Sequence, residues 1–242
     1  NDQFKTYTEV NIPAFSVFWG DTVAAIPKTP EMMAKLPPGI APAEEGYCPP
    51  GGATYGCQPD LGRHLISSLM ADGFDVAQST RLPVGPNGSN SVPHAYGYIY
   101  RKVMGDDVIP HVPVMVNTHY PPNRPSPRRC YEFGRALGRA VLSWPEDMTV
   151  AVIGSGGMTH YVIDEEAERS GLQAIQDLDA EAICRINDAM FEAGGTAEIK
   201  NWIPLLGAME EARMTMTLVD YVPCYRSPAG TGNGMGFAYW SQ

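Results

Sequence analysis

A glycine turn that leads to a histidine is the first feature of this sequence that could carry out chemistry. The β-branched run Val150 to Ile153 enters the turn Gly154 to Gly157, and His160 follows shortly after. In α/β proteins, ligands gather at the carboxyl ends of strands, and glycines there let the backbone approach them closely. An imidazole titrates near neutral pH, which makes His160 a candidate proton-transfer group. A histidine in this place could equally be a capping or hydrogen-bonding residue.

The carboxylate of Glu198 is the second candidate. It follows Gly194-Gly195 and opens an apolar segment that is predicted to be helical. An acid in the first turn of a helix is also favoured by the helix dipole, without any catalytic role. The acids Asp164 to Glu166 lie just beyond His160, where one of them could orient the imidazole or simply begin a solvated helix.

Two further histidines follow a loop or a strand end in the same way as His160. They are His94 and His119, and all three could converge on one cleft. Several imidazoles with a carboxylate suit a metal site that leaves coordination positions open. No pair has the close spacing of a preformed metal-binding face, so hydrogen-bonded loop histidines explain the pattern as well. His64 is expected on a helix surface, and His111, between two prolines, is expected to be structural.

The elements that must position these residues alternate between strands and helices. A valine-rich strand over 108–117 precedes a helix over 127–143, in which Ser126 is the expected N-cap and Pro127 the first residue. With the strand that enters the glycine turn, they form a predicted βαβ unit with a parallel strand pair. We therefore expect an α/β single domain with a central mixed, largely parallel sheet flanked by helices and long Pro/Gly-rich loops. Further helices are predicted at 61–72, 179–193 and 197–207, and further strands at 74–77, 214–222 and 234–240.

Composition excludes several classes of partner. The 17 basic and 27 acidic residues give a net charge of −10, which argues against binding to nucleic acid or to an anionic membrane. No apolar run is long enough to span a bilayer, so a cytoplasmic location is the expectation. Five scattered cysteines form no disulfide framework and no Cys-x-x-Cys pair, and all five are expected to be thiols.

Four blocks of this sequence, in this order, resemble the catalytic (B) subunit superfamily of class III extradiol ring-cleavage dioxygenases, which includes the β subunit of protocatechuate 4,5-dioxygenase. Their order and spacing are more specific than any single block. The blocks are Asn1-Asp2-Gln3, Arg128-Arg129-Cys130-Tyr131 through Asp147, Gly156-Gly157-Met158-Thr159-His160 and Glu198-Ile199-Lys200-Asn201-Trp202.

The resemblance implies an Fe(II)-dependent extradiol (meta) cleavage of a catechol or gallate-type aromatic acid with O2. Two histidines and one glutamate hold the iron in such enzymes and leave positions for the diol and O2. By this resemblance Glu198 is an iron ligand and His160 the acid/base. His94, Tyr120 and Thr159 are implied to bind the substrate. The partners are then an aromatic diol and O2, with a homodimer or a hetero-oligomer with a related subunit as the assembly.

The amino-terminal block departs from the family pattern in two ways. Gln3 stands where the family has its second iron histidine, and a neutral amide is a weaker partner for Fe(II) than an imidazole. A glutamine here is similar to the branch that includes 3-O-methylgallate dioxygenase. The first iron histidine of the family lies before Asn1. Residues 1–242 are therefore expected to be one extradiol dioxygenase-like catalytic domain that lacks its N-terminal strand and helix.

These departures leave two other functions to weigh. The chain could be a catalytically silent, metal-free subunit that stabilises an active partner. It could also be a metal-independent hydrolase that uses His160, although the glycine turn has no Gly-x-Ser-x-Gly nucleophile motif.

Overall fold

The described part of the protein is a mixed α/β structure of several helices and three small sheets. The computed structural model describes residues 12–36, 41–82, 84, 90–186, 195 and 197–242. The predicted α/β class is confirmed. The described residues do not show one central, largely parallel sheet.

Seven strands make up the sheets. β1 pairs in parallel with β4 and has β5 on its other side, whereas β2 pairs with β3 and β6 with β7 in antiparallel fashion. The strands are β1 (Phe15–Phe18), β2 (Thr22–Ala25), β3 (Ala53–Gly56), β4 (Ala77–Ser79), β5 (Val114–Val116), β6 (Thr215–Tyr225) and β7 (Gly232–Ser241).

The described residues form eight α-helices. A π-helical turn, Ile99–Val103, continues α4, and a 3-10 helix, Ala197–Asn201, leads directly into α8. None of the described helices is long and apolar enough to cross a membrane. The helices are α1 (Pro30–Ala34), α2 (Ala41–Tyr47), α3 (Pro59–Ala71), α4 (His94–Tyr98), α5 (Pro127–Leu142), α6 (Glu165–Gln176), α7 (Ala180–Cys184) and α8 (Trp202–Glu211).

The chain, expected to be one domain, divides into two compact units. One, called the His111 unit, comprises Ser16–Ile66 and Ala77–Met115. The other, called the His160 unit, comprises the described residues of Asn1–Phe15, Ser67–Val76 and Val116–Gln242.

The His111 unit is built around an aromatic cluster beside the antiparallel pair of β2 and β3. Tyr55 and Tyr100 contact each other with their ring centroids 4.7 Å apart, and Phe18 is almost completely buried in the same cluster. The other buried members are Val23, Ala25 and Leu82, so this core is assembled from residues that are distant in sequence.

Helix α5 and helix α8 form the centre of the His160 unit. The N-cap of α5 is as predicted: the Ser126 hydroxyl accepts from the Arg129 amide at 3.2 Å, and Pro127 is the first residue. The two helices approach so closely that a Cβ on Gly134 would lie 2.0 Å from the Pro204 carbonyl oxygen. A stacked pair of rings, Phe15 and Phe133 at 4.0 Å, extends this core.

One predicted strand is not formed in the structure, and another is much shorter than predicted. Residues 149–157, all of them described, form no regular strand, so the prediction for Val150–Ile153 is wrong, and with it the parallel βαβ pair. Val152 instead packs beside α8, against Leu205 and Met209. The strand expected over 108–117 is confined to β5.

The other predicted elements of the carboxyl-terminal half are found close to their expected bounds. The strand predicted at 214–222 is β6, the strand at 234–240 is β7, and the helix at 197–207 is the 3-10 helix with α8. The helix predicted over 179–193 is α7 as far as Cys184, and residues 187–194 lie outside the described part. All five cysteines are free thiols, as expected.

Candidate active site around His160 and Glu198

The glycine turn before His160 lies against the 3-10 helix that carries Glu198. The Asn201 side-chain amide donates to the Ser155 carbonyl at 2.8 Å, and the Trp202 indole donates to the Gly156 carbonyl at 2.9 Å. A Cβ on Gly156 would lie 2.7 Å from the carbonyl oxygen of Glu198. Only glycine permits this approach, so the close contact of two backbones gives the turn its position.

The carboxylate of Glu198 is held by a backbone donor of the same turn. The Gly157 amide donates to Glu198 Oε2 at 3.0 Å, across 41 residues of sequence. Side-chain oxygens are seldom fixed by an amide so far along the chain unless both segments have defined positions. The turn therefore orients the carboxylate as well as the histidine that follows.

His160 and Glu198 lie within ion-pair distance, and both are charged when the imidazole is protonated. The distance between His160 Nε2 and Glu198 Oε2 is 3.4 Å, and the two side chains are 29% and 37% exposed. The hydrogen-bonding interaction with Glu198 raises the pKa of His160, although burial works in the opposite direction. The carboxylate therefore favours the protonated imidazole.

The other ring nitrogen of His160 faces a different environment. Nδ1 is buried and makes no hydrogen bond of good geometry with any described residue. The carbonyl groups of Met158 and Gly195 lie near enough to add electrostatically to the raised pKa of the ring. Of the two ring nitrogens, Nε2 is the one that faces the Glu198 carboxylate.

The acids that directly follow His160 form the start of a helix. Asp164 is the N-cap of α6 and accepts from the Ala167 amide at 3.0 Å. Glu165 pairs with Arg169 at 3.3 Å and accepts from the Tyr225 hydroxyl at 2.8 Å. Of the two interpretations of this acidic run, the helix start is the one that the structure bears out.

A buried carboxylate near His160, that of Glu168, was not indicated by the sequence. Glu168 is 3% exposed and accepts hydrogen bonds from the amide and the hydroxyl of Thr159 and from the hydroxyl of Tyr221. In the sequence it looks like one more acid in an acidic helix start. A helical projection of α6 could have suggested it, because Glu168 shares a face with Leu172 and Ile175, which are also buried.

The predicted substrate-binding residues occupy different surroundings. Tyr120 is 60% exposed, its ring lies 5.4 Å from that of His119, and its backbone is fixed by the Asn117 side chain. Thr159 is buried, with its hydroxyl directed to Glu168. His94 begins α4 in the His111 unit, where its ring lies 5.7 Å from that of Tyr47. Their binding of substrate stays a prediction.

The described residues supply donors of the right kind for Fe(II) but not a complete set. Glu198 offers a carboxylate oxygen and His160 an imidazole nitrogen, both of which Fe(II) accepts. Within the described ranges, no group of three or more His, Cys, Asp or Glu side chains is arranged to hold a metal ion. The other predicted ligand, Gln3, lies outside the described residues.

Comparison with known families agrees with the sequence resemblance. Residues 38–231 match the model of the catalytic LigB subunit of aromatic ring-opening dioxygenase. This match covers well over half of the chain and includes both His160 and Glu198. The chain therefore belongs to the LigB family, and the predicted family is confirmed.

Individual relatives are dioxygenases by name. The chain is 34% identical over 126 residues to gallate dioxygenase of Pseudomonas putida, which covers 51% of this chain and 34% of that protein. It is 32% identical over 98 residues to 2,3-dihydroxyphenylpropionate/2,3-dihydroxicinnamic acid 1,2-dioxygenase of Photorhabdus laumondii, covering 40% and 28%. The enzyme of that name from Cupriavidus necator is 33% identical over 101 residues, covering 42% and 29%. The matched part thus spans about a third or less of the length of these curated relatives.

Proposed function

We propose that this chain catalyses the Fe(II)-dependent extradiol cleavage of a catechol or gallate-type aromatic acid with O2. The observation that carries the proposal is the pair formed by His160 and Glu198, both positioned by one glycine turn. Membership of the LigB family and the names of its relatives support the choice of reaction.

Glu198 and Gln3 are the residues proposed to hold the iron, together with a further donor. Fe(II) in such a site supplies open coordination positions for a catecholate and O2. The Gly157 amide orients the Glu198 carboxylate through Oε2. A carboxylate held by a backbone donor loses less conformational freedom when it binds a cation, which favours binding.

His160 is proposed to be the acid/base. Its Nε2 faces the Glu198 carboxylate and is the nitrogen at which a substrate hydroxyl can exchange a proton, since Nδ1 is buried. General acid–base groups of this kind contribute about 10²- to 10⁴-fold to turnover. Tyr120 and His94 are proposed to contact substituents of the aromatic ring. Thr159 is proposed to be part of the substrate-binding site, with its hydroxyl bound to Glu168.

Assembly as a homodimer or with a related subunit belongs to the same proposal. The mass in solution of the protein purified alone shows whether it forms a homodimer. Co-expression with a related subunit tests the hetero-oligomer.

Oxygen consumption tests the reaction directly. The protein is loaded with Fe(II) without oxygen and then given O2 with a panel that includes catechol, protocatechuate, gallate and 2,3-dihydroxyphenylpropionate. We expect a yellow ring-fission product and one O2 consumed for each diol cleaved. No bound iron together with no turnover of any diol would instead identify a catalytically silent subunit.

Substitution of the proposed ligand separates metal binding from folding. Glu198→Ala is expected to lose both iron and turnover, while Glu211→Ala, which removes a carboxylate that pairs with Arg135 and Arg139, keeps iron. Iron content is measured by elemental analysis after desalting. Retention of iron and turnover by Glu198→Ala would show that the ligand is wrongly assigned.

A further inference from the structure

A buried carboxylate on α6 accepts three hydrogen bonds. Glu168 Oε1 accepts from the Thr159 amide at 2.7 Å and from the Thr159 hydroxyl, and Oε2 accepts from the Tyr221 hydroxyl. Burial of a charged carboxylate is costly unless donors replace its water. An ionised carboxylate is a pure acceptor, which suits these three donors.

The pocket of this carboxylate is shaped by three elements. α6 carries Glu168, β6 carries Tyr221, and β7 contributes Gly234, where a Cβ would lie 2.1 Å from Glu168 Oε2. Burial, and then the hydrogen bond to Glu168, raises the pKa of Tyr221, so the phenol keeps its proton and remains the donor. The carboxylate is therefore held by Thr159, nine positions away in sequence, and by Tyr221, 53 positions away.

This pocket holds Thr159, the residue directly before His160. The Thr159 amide is bound by Glu168, and the Thr159 carbonyl accepts from the Gly234 amide at 3.1 Å. One residue earlier, the Met158 amide donates to the Gly234 carbonyl at 3.0 Å. Both sides of Thr159 are thus fixed, and the backbone rotations that place His160 have little freedom left.

We propose that Glu168 is a positioning residue that fixes the imidazole of His160 toward Glu198 by binding both donors of Thr159. This inference rests on the acid/base role proposed for His160. Glu168 touches neither His160 nor Glu198 through its described contacts, so its effect passes through the Thr159 backbone.

The test compares Glu168→Gln with Glu211→Gln. The amide of Glu168→Gln keeps the size of the side chain but turns an NH2 group toward a donor of Thr159 or Tyr221. Glu211 is the matched control because it is a partly buried carboxylate, 17% exposed, held by two arginines of the same unit. Misplacement of a reacting group by about 1 Å costs about 10²-fold, so we expect kcat of Glu168→Gln to fall by about tenfold or more, with KM little changed. Glu211→Gln keeps kcat.

A readout that needs neither iron nor turnover follows the imidazole itself. In metal-free protein labelled with ¹⁵N-histidine, the ring signals of His160, assigned with His160→Ala, are expected to move in Glu168→Gln and to stay in Glu211→Gln. Thr159→Val, which loses the hydroxyl, should move them partly, and Thr159→Ser should restore them. If Glu168 were merely structural, these variants would lower stability but would not show this graded movement of the His160 ring signals.

Tyr221→Phe is a second variant that tests the proposal if Glu168→Gln does not fold. It frees Glu168 Oε2 and leaves both Thr159 bonds, so a smaller fall in kcat and a smaller shift of the His160 signals are expected. Unmoved His160 signals with wild-type kcat in Glu168→Gln or Tyr221→Phe would overturn the proposal, as would equal kcat losses in Glu168→Gln and Glu211→Gln. Absence of turnover in the wild type contradicts the proposed function instead, and the ring signals then still decide the role of Glu168.

Discussion

Two histidines, one in each unit of the chain, lie in opposite electrostatic surroundings. His160 has a carboxylate at Nε2 and no described hydrogen-bond partner at Nδ1, and its pKa is raised. His111 has the Tyr100 hydroxyl at Nε2 and the Ile109 carbonyl at 3.1 Å from Nδ1, and burial lowers its pKa.

The partners of His111 match a neutral ring completely. A carbonyl can only accept, so Nδ1 carries the proton, and Nε2 then accepts from Tyr100. Burial disfavours the protonated ring and outweighs the Ile109 carbonyl, which by itself raises the pKa of His111. A neutral histidine with both nitrogens hydrogen-bonded, such as His111, stabilises the fold. A histidine with a carboxylate at one nitrogen, such as His160, is suited to proton transfer.

Removal of the imidazole should separate the two histidines most strongly. We expect His160→Gln to lower kcat by about 10²- to 10⁴-fold, the usual contribution of a general acid–base group, with iron retained. The matched control His111→Gln should keep kcat in the folded protein. Both are measured from the ring-fission product under saturating diol, and similar losses in the two variants would remove the distinction drawn between these residues.

A smaller effect is expected when the His160 ring is displaced but not removed. A Cβ on Gly157 would lie 2.8 Å from His160 Cε1, and the backbone of Gly157 does not have the positive φ that favours glycine. In Gly157→Ala the imidazole must therefore rotate away, and we expect kcat to fall by about tenfold to a hundredfold.

Gly56→Ala is the control for Gly157→Ala, because a Cβ there has nothing within 4 Å. Its kcat should equal that of the wild type. If Gly157→Ala also kept wild-type kcat, the position of the His160 ring would not be as restricted as the contact with Gly157 indicates.

The satisfied ring of His111 is tested through stability. Tyr100→Phe deletes the hydroxyl that donates to His111 Nε2 in a buried cluster. An acceptor left unsatisfied in such a place costs about 1–3 kcal/mol, measured as the free energy of unfolding in urea at pH 8. The exposed hydroxyl of Tyr225 provides the comparison: Tyr225→Phe should change stability by less than about 0.5 kcal/mol.

The pH dependence of stability gives the smallest effect. Because the pKa of His111 is lowered in the folded protein, the unfolded chain takes up this proton first as pH falls below about 6.5. The stabilisation is complete above that pH and is lost as pH falls to the folded pKa. Its neighbours stay neutral here, since burial raises the pKa of Cys57 to about 11 and also raises that of Tyr100. The wild type should therefore lose more stability than His111→Gln between pH 8 and pH 5.5, and parallel curves would contradict this.

Local sequence signals indicate the two central residues of the candidate site but not their supporting contacts. His160 was found from the glycine turn and Glu198 from its place after a glycine pair, because both signals are short and lie next to the residue concerned. Glu168 gave no such signal: its burial depends on Tyr221 and Gly234, which reach it only when β6 and β7 pair.

The sequence by itself determined the elements that depend on local chemistry. Ser126 and Pro127 specify the start of α5, and β-branched residues specify β6, because capping groups and strand propensity act within a few residues. The motif order also determined the family.

The tertiary structure alone decided what the polar groups of the glycine turn do. Val150 to Ile153 has the composition of a strand, yet the carbonyls just beyond it are bound by the Asn201 and Trp202 side chains. It also decided that His160 Nε2 lies 3.4 Å from Glu198. Hydrogen bonds between segments about 40 residues apart depend on how those segments pack. No local pattern encodes that packing, so the electrostatic environment of His160 is evident only in the fold.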